Sequence, residues 1–171
     1  MKKIAALIIC LFAVGALSAQ DFEKGGNYIT LGFGVDPYHT YRGNIGVGPI
    51  MANYERGITD ILGIGRIGVG GGVAYSIYNG KYNNGVRYSG YRFSIIARAA
   101  YHFEFDVPKM DVYAGIGAAV HIYHEPYDND FNANGIYDDN VRGGHYIFAG
   151  IRYYFTDAFG VYAEVGHGVT A

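Results

Sequence analysis

The side chains best able to do chemistry in this 171-residue chain are few: 13 Lys and Arg, 15 Asp and Glu, 6 His, one Cys and no Trp. Glu55, Arg66, Arg92, Arg98, His102, Asp111, Arg152 and Glu164 form one set, acids and bases standing out of phase with neighbouring aliphatic residues. Such groups can pair with one another or line an ion path. A second set is Asp130-Phe-Asn132-Ala-Asn134-Gly135-Ile136-Tyr-Asp138. It places oxygen donors at alternate positions, a Gly at the sharp turn and a backbone carbonyl at Ile136, the first half of an EF-hand-type calcium loop. A third, Gly63-Ile-Gly65-Arg-Ile-Gly68, matches the dinucleotide fingerprint GxGxxG. What each can do depends on the elements that hold it.

Composition restricts those elements. Charged residues are 16%, against the roughly 25% of an average soluble domain, while Gly reaches 27 residues, Tyr 18 and Phe 10. So aromatic a chain is not disordered, and its Gly lacks the three-residue period of collagen. A formal charge of −2 gives no electrostatic case for nucleic acid. Residues 1–19 combine the basic Lys2-Lys3, an apolar run from Ile4 to Val14 and the small-residue site Ala16-Leu-Ser-Ala19, a secretory signal peptide. Removing it takes Lys2 and Lys3 from the 13 basic residues, leaving 11 against 15 acids, or −4. Cys10 lies within the apolar run, preceded by Ile9, which argues against lipidation and leaves residues 20–171 without disulfides.

The remainder alternates. Ile67, Val69, Val73, Tyr75 and Ile77 share one parity, as do Phe93, Ile95, Ala97, Ala99 and Tyr101, and Val112, Ala114, Ile116, Ala118 and Val120. Period two over so many residues predicts long strands with two chemically different faces. Seven strands are expected, near 27–35, 47–56, 63–78, 90–103, 111–123, 145–155 and 160–169, joined by alternately short and long connections. The long ones are 36–46, 79–89 and 124–144. That rhythm predicts an all-β, up-and-down antiparallel transmembrane barrel. A soluble lipocalin-like barrel would carry many scattered Lys and Glu outside, and these strands carry few.

Centring the short turns on 60–61, 106–107 and 158 sets Glu55 opposite Arg66, His102 opposite Asp111 and Arg152 opposite Glu164. Each pair falls on the face without aliphatics, the inside of the barrel, where Gly32, Gly68, Gly70, Gly72, Gly115 and Gly117 leave room for large side chains. Together with Arg92 and Arg98 these residues read as a packed salt-bridge plug rather than an ion path, because small barrels have filled interiors. Tyr54, Tyr101, Phe103, Tyr153, Phe155 and Phe159 would make a periplasmic aromatic girdle, and Tyr75, Tyr91 and Phe93 part of an outer one.

Tyr101-His-Phe, Asp111-Val-Tyr-Ala-Gly-Ile-Gly, Gly150-Ile-Arg-Tyr-Tyr-Phe-Thr-Asp and Phe159-Gly-Val-Tyr-Ala-Glu-Val-Gly resemble stretches of the small outer-membrane β-barrel proteins of Gram-negative bacteria, of OmpA/OmpX-like type. The resemblance implies eight strands in the outer membrane, contact with its lipid and lipopolysaccharide, insertion by the barrel-assembly machinery and loops free to bind an extracellular ligand. The family pattern closes on a strand ending in an aromatic residue, whereas this sequence ends Val169-Thr-Ala171. The expectation is therefore seven visible strands, with the eighth beyond the sequence or supplied by a partner.

The remaining motifs weigh less. The glycine fingerprint needs a following helix, and Val69-Gly-Gly-Gly-Val73 continues the alternation instead, so it is rejected. In the calcium-like loop, position twelve is Val141 rather than Glu, so a polar surface loop is preferred, with weak calcium binding as the alternative and no other cofactor expected. His121 and His124, three apart on a strand, point to opposite faces. Ser76 and Ser94 fall near the outer rim with no base apparent beside them, so no enzyme is expected.

Overall fold

A computed structural model describes residues 22–34, 45–81, 87–125 and 138–170. Within them lie β1 (Asn27–Phe33), β2 (Ile45–Gly57), β3 (Gly65–Lys81), β4 (Arg87–Phe103), β5 (Met110–Glu125), β6 (Asp138–Tyr154) and β7 (Gly160–Thr170). They form one antiparallel sheet in sequence order, each strand beside its chain neighbours, with no helix among the described residues. The sheet curls on itself. Glu55 of β2 and Arg152 of β6 are four strands apart in that order, which in a flat sheet means about 19 Å at ~4.8 Å per strand. Their charged atoms lie 2.5 Å apart.

Period-two patterning decides which face goes inside. Ile29, Leu31, Val69, Val73, Ile95, Ile116, Val120, Ile147, Ile151 and Val165 are all exposed on the convex face. The concave face buries Glu55, Arg98, His102, Asp111 and Arg152. This inverts a soluble protein and matches a sheet whose outer solvent is hydrocarbon. The proposed girdles fit, with Tyr54, Tyr153, Phe155 and Phe159 exposed at one end and Tyr75 and Tyr91 at the other.

The ladder corrects the three expected registers. Glu55 faces Gly70 rather than Arg66, His102 faces Tyr113 rather than Asp111, and Glu164 faces Gly150 rather than Arg152. Each slip is an even number of residues, so every side chain keeps its face. The turns explain the slips. After β2 the chain reverses late, at Gly63 (φ 69), where Leu62 bridges Gly65. After β4 the left-handed residue is Lys109 (φ 66). After β6 the Thr156 hydroxyl accepts from the backbone N–H groups of Ala158 (3.3 Å) and Phe159 (3.0 Å), pulling the turn one residue earlier than 158.

Several strands also run longer than expected at the end bearing the long connections. β3 continues to Lys81, β4 starts at Arg87, β5 reaches Glu125 and β6 starts at Asp138, so much of 79–89 and 124–144 is strand rather than loop. Polar residues such as Asn, Arg, His and Asp read as loop formers by composition, yet they can continue a ladder wherever both faces of the sheet meet water. In β2 the register shifts between Val47 and Ile50, a bulge that accommodates Pro49.

The inverted faces give a direct test. Ile116→Arg, on the convex face in mid-strand, is expected to destabilise the folded protein by about 2–4 kcal/mol, and Ile61→Arg, in the short turn after β2, by about 1 or less. Reversible urea unfolding in phospholipid vesicles measures both.

Candidate functional site: the ion ring of the concave face

Four of the predicted residues meet, and one predicted pair is among them. His102 and Asp111 are joined, although two residues out of the expected register, whereas Glu55 and Arg152 take other partners than those expected. Glu55, His102, Asp111 and Arg152 come from β2, β4, β5 and β6. His102 Nε2 lies 3.0 Å from Glu55 Oε1, and its Nδ1 lies 2.8 Å from Asp111 Oδ1. Arg152 closes the circuit, with Nη2 2.5 Å from Glu55 Oε2 and Nη1 3.3 Å from Asp111 Oδ2. Each carboxylate thus bridges the same two bases. With a proton on both ring nitrogens, His102 donates to both acids, and the ring then holds two positive and two negative charges. Glu55 is 1% and His102 2% exposed, so neither has water as a substitute partner.

A second cluster sits beside the first. Arg98 of β4 meets Glu164 of β7 through two contacts, 2.8 Å and 3.4 Å, and lies over the Phe148 ring at 3.9 Å. Tyr113 joins the clusters. Its hydroxyl donates to Glu164 Oε2 at 3.0 Å, Arg152 lies 4.5 Å over its ring, and His102 stacks on it at 5.3 Å. Sequence reasoning placed Tyr113 on the charged face without giving it a role. The available signal was its position two residues after Asp111, with Gly115 and Gly117 following on the same face. Those glycines do make room, as does Gly150: a Cβ on Gly115 would come within 2.5 Å of Phe148, one on Gly117 within 2.4 Å of Tyr146, and one on Gly150 within 2.5 Å of Tyr113.

Arg66 stands apart. It faces inward but bonds to Glu104 at 2.5 Å and to the backbone carbonyl of Phe22. Arg92 also faces inward, nearer the other end, opposite Ser76 on β3 and Tyr123 on β5. Of the calcium-like set, Asp130, Asn132, Asn134 and Ile136 lie outside the described residues, and Asp138 begins β6. Gly65 and Gly68 of the glycine fingerprint lie within β3. His121 and His124 do take opposite faces: His124 stacks on the outward Tyr91 at 4.8 Å, while His121 turns inward.

One expectation is corrected. Ser94 does have a base beside it, because His121 is its direct cross-strand partner and its Nδ1 lies 2.8 Å from Ser94 Oγ. Sequence reasoning missed the pair because it needs the β4–β5 register. Acyl transfer also needs N–H donors aimed at a developing oxyanion. Ser94 sits in a strand with neighbours on both sides, whose backbone N–H groups serve the ladder. Ser94 is therefore expected to resist a fluorophosphonate probe in the folded protein. Labelling abolished by Ser94→Ala would reverse that reading.

A seven-stranded meander with apolar residues outside and a closed ion ring inside has the architecture of a membrane barrel, and the sequence profile that matches the chain agrees. The chain belongs to the outer membrane protein beta-barrel domain family. The match spans residues 4–171. Comparison with curated proteins and with solved structures gives no significant match. Membership makes this an outer-membrane β-barrel protein.

The ring makes removal of one member costly. Arg152→Met leaves Glu55 and Asp111 facing each other with only His102 between them. An uncompensated buried charge of this kind costs about 3–5 kcal/mol. Arg98→Met is expected to cost less, because Glu164 is more exposed, at 14%. Urea midpoints of the two variants in one detergent rank them.

Proposed function

We propose that this protein is an integral outer-membrane barrel whose interior is a salt-bridged plug and whose role is structural or surface-binding rather than conductive. The observation that carries this reading is the closed circuit of Glu55, His102, Asp111 and Arg152. A conducting path lined by charge needs groups that water and passing ions can reach, whereas here each charge is turned onto a protein partner. Tyr113, Phe148 and the Arg98–Glu164 pair fill the next layer.

Residues 1–19 act in this reading as an export signal. The exposed aliphatic band meets lipid, the outer end meets lipopolysaccharide, and assembly runs through the barrel-insertion machinery. The two edges of the sheet approach each other, because the Tyr162 hydroxyl crosses from β7 to lie where a side chain on Gly32 of β1 would stand. No catalytic step is assigned, and any ligand is held by the connections at the outer end.

Planar-bilayer recording tests the plug. The purified protein is expected to give no discrete conductance steps at moderate voltage. Steps that survive dilution of the protein and change with Arg152→Met would overturn the plug in favour of a pore.

A further inference from the structure

A short segment ahead of the barrel occupies the mouth at which the short turns lie. Phe22 precedes β1 and is 5% exposed, although it belongs to no strand. Its ring lies flat on the His102 imidazole, with centroids 3.4 Å apart and planes 1° from parallel, and stacks on Tyr28 at 4.6 Å. Phe22 thus covers one face of the group that bridges both acids of the ion ring.

The residues after it form a shaped turn. The Gly26 amide donates to the Glu23 carbonyl (3.1 Å), Gly25 takes a φ of 85°, and the Glu23 amide donates to the Tyr28 hydroxyl at 2.9 Å. The turn is held to the sheet by few contacts. The Gly25 amide donates to the Gly57 carbonyl (2.8 Å) and the Gly57 amide to the Gly26 carbonyl (3.1 Å), Arg66 bonds the Phe22 carbonyl, and Lys24 meets Asp60 at 2.5 Å. The sheet is carved to receive it. A Cβ on Gly68 would lie 2.6 Å from the Phe22 ring, and one on Gly57 would collide with the Glu23 carbonyl.

We propose that Phe22 and the Glu23–Gly26 turn form a displaceable stopper that seats in the periplasmic mouth of the barrel and seals the ion ring from water. The strand register begins at Asn27, so the segment can leave by breaking its two backbone bonds to Gly57 while every strand pair stays zipped. Leaving exposes the His102 face and the Glu55 and Asp111 carboxylates to periplasmic water. The proposal rests on the barrel fold and is independent of any surface role.

The Lys24 ammonium holds the exposed Asp60 carboxyl below its ordinary range, chiefly through their hydrogen bond. The tether's contribution is therefore complete above the ordinary carboxylate pKa and is lost as pH falls through the lowered one.

The chain contains no Trp, so Phe22→Trp provides a single emitter in the full protein. Folded in phospholipid vesicles, it is expected to emit at short wavelength and to be quenched by acrylamide several-fold less than Ile61→Trp, which sits in an exposed turn. Adding Gly57→Ala to Phe22→Trp is expected to raise quenching to the Ile61→Trp level while the circular-dichroism strand signal stays unchanged. A folded Phe22→Trp barrel quenched like Ile61→Trp, or a Gly57→Ala double variant that stays shielded, would overturn the stopper. Wild-type amide exchange reads the same point without substitution: Gly25 should be protected yet exchange faster than the β3 and β4 amides. Exchange as slow as theirs would overturn displaceability. Either failure leaves the plug, which is judged by conductance, untouched.

Discussion

The contact between Glu55 and Arg152 organises much of the protein. It joins strands that are four positions apart in the sheet, so it forms only if the sheet curls. In water such a contact would be worth little. Here the convex face is aliphatic and the charges lie in a narrow interior, where a charge without a partner is expensive. The ring is therefore both a consequence of the curl and a restraint upon it. His102 and Asp111 close the circuit through β4 and β5, and Arg98 with Glu164 carries the restraint across to β7.

Two solvents impose the rest. On the lipid side no water serves the backbone, so every strand must find neighbours, and a meander supplies them with the shortest connections. On the inner side large side chains meet one another across the interior. Glycines resolve the crowding: Gly115, Gly117 and Gly150 lie under Phe148, Tyr146 and Tyr113. Part of the glycine and tyrosine excess is thus one feature, large rings packed over positions with no side chain.

Some of the site was legible in particular residues. Glu55, Arg98, His102, Asp111, Arg152 and Glu164 all fall on the inner face as their parity required. Of their partnerships only that of His102 with Asp111 was legible. Arg152 was matched with Glu164 and Arg66 with Glu55, whereas Arg152 binds Glu55 and Asp111, Arg98 takes Glu164, and Arg66 goes to Glu104. The expected pairs were drawn only across the short turns. Asp111 and Arg152 instead face each other on β5 and β6, which a long connection joins. The contacts of Glu55 with Arg152 and of Arg98 with Glu164 cross the interior. Phe22 went unnoticed for a related reason. It precedes the first alternating run, and nothing local says that an aromatic residue there turns into the mouth of the barrel.

The sequence by itself determined the strands, their two faces and their up-and-down order. Each of these follows from local periodicity and, at the three short turns, from connections too short for any other path. Tertiary structure alone decided the registers, the pairing of charges across the interior, the Ser94–His121 contact and the seat of Phe22. Those depend on turn geometry and on the curl of the sheet, which bring together residues as far apart as Glu55 and Arg152. An even slip in register leaves the hydrophobic pattern unchanged, so the pattern could not have chosen among them.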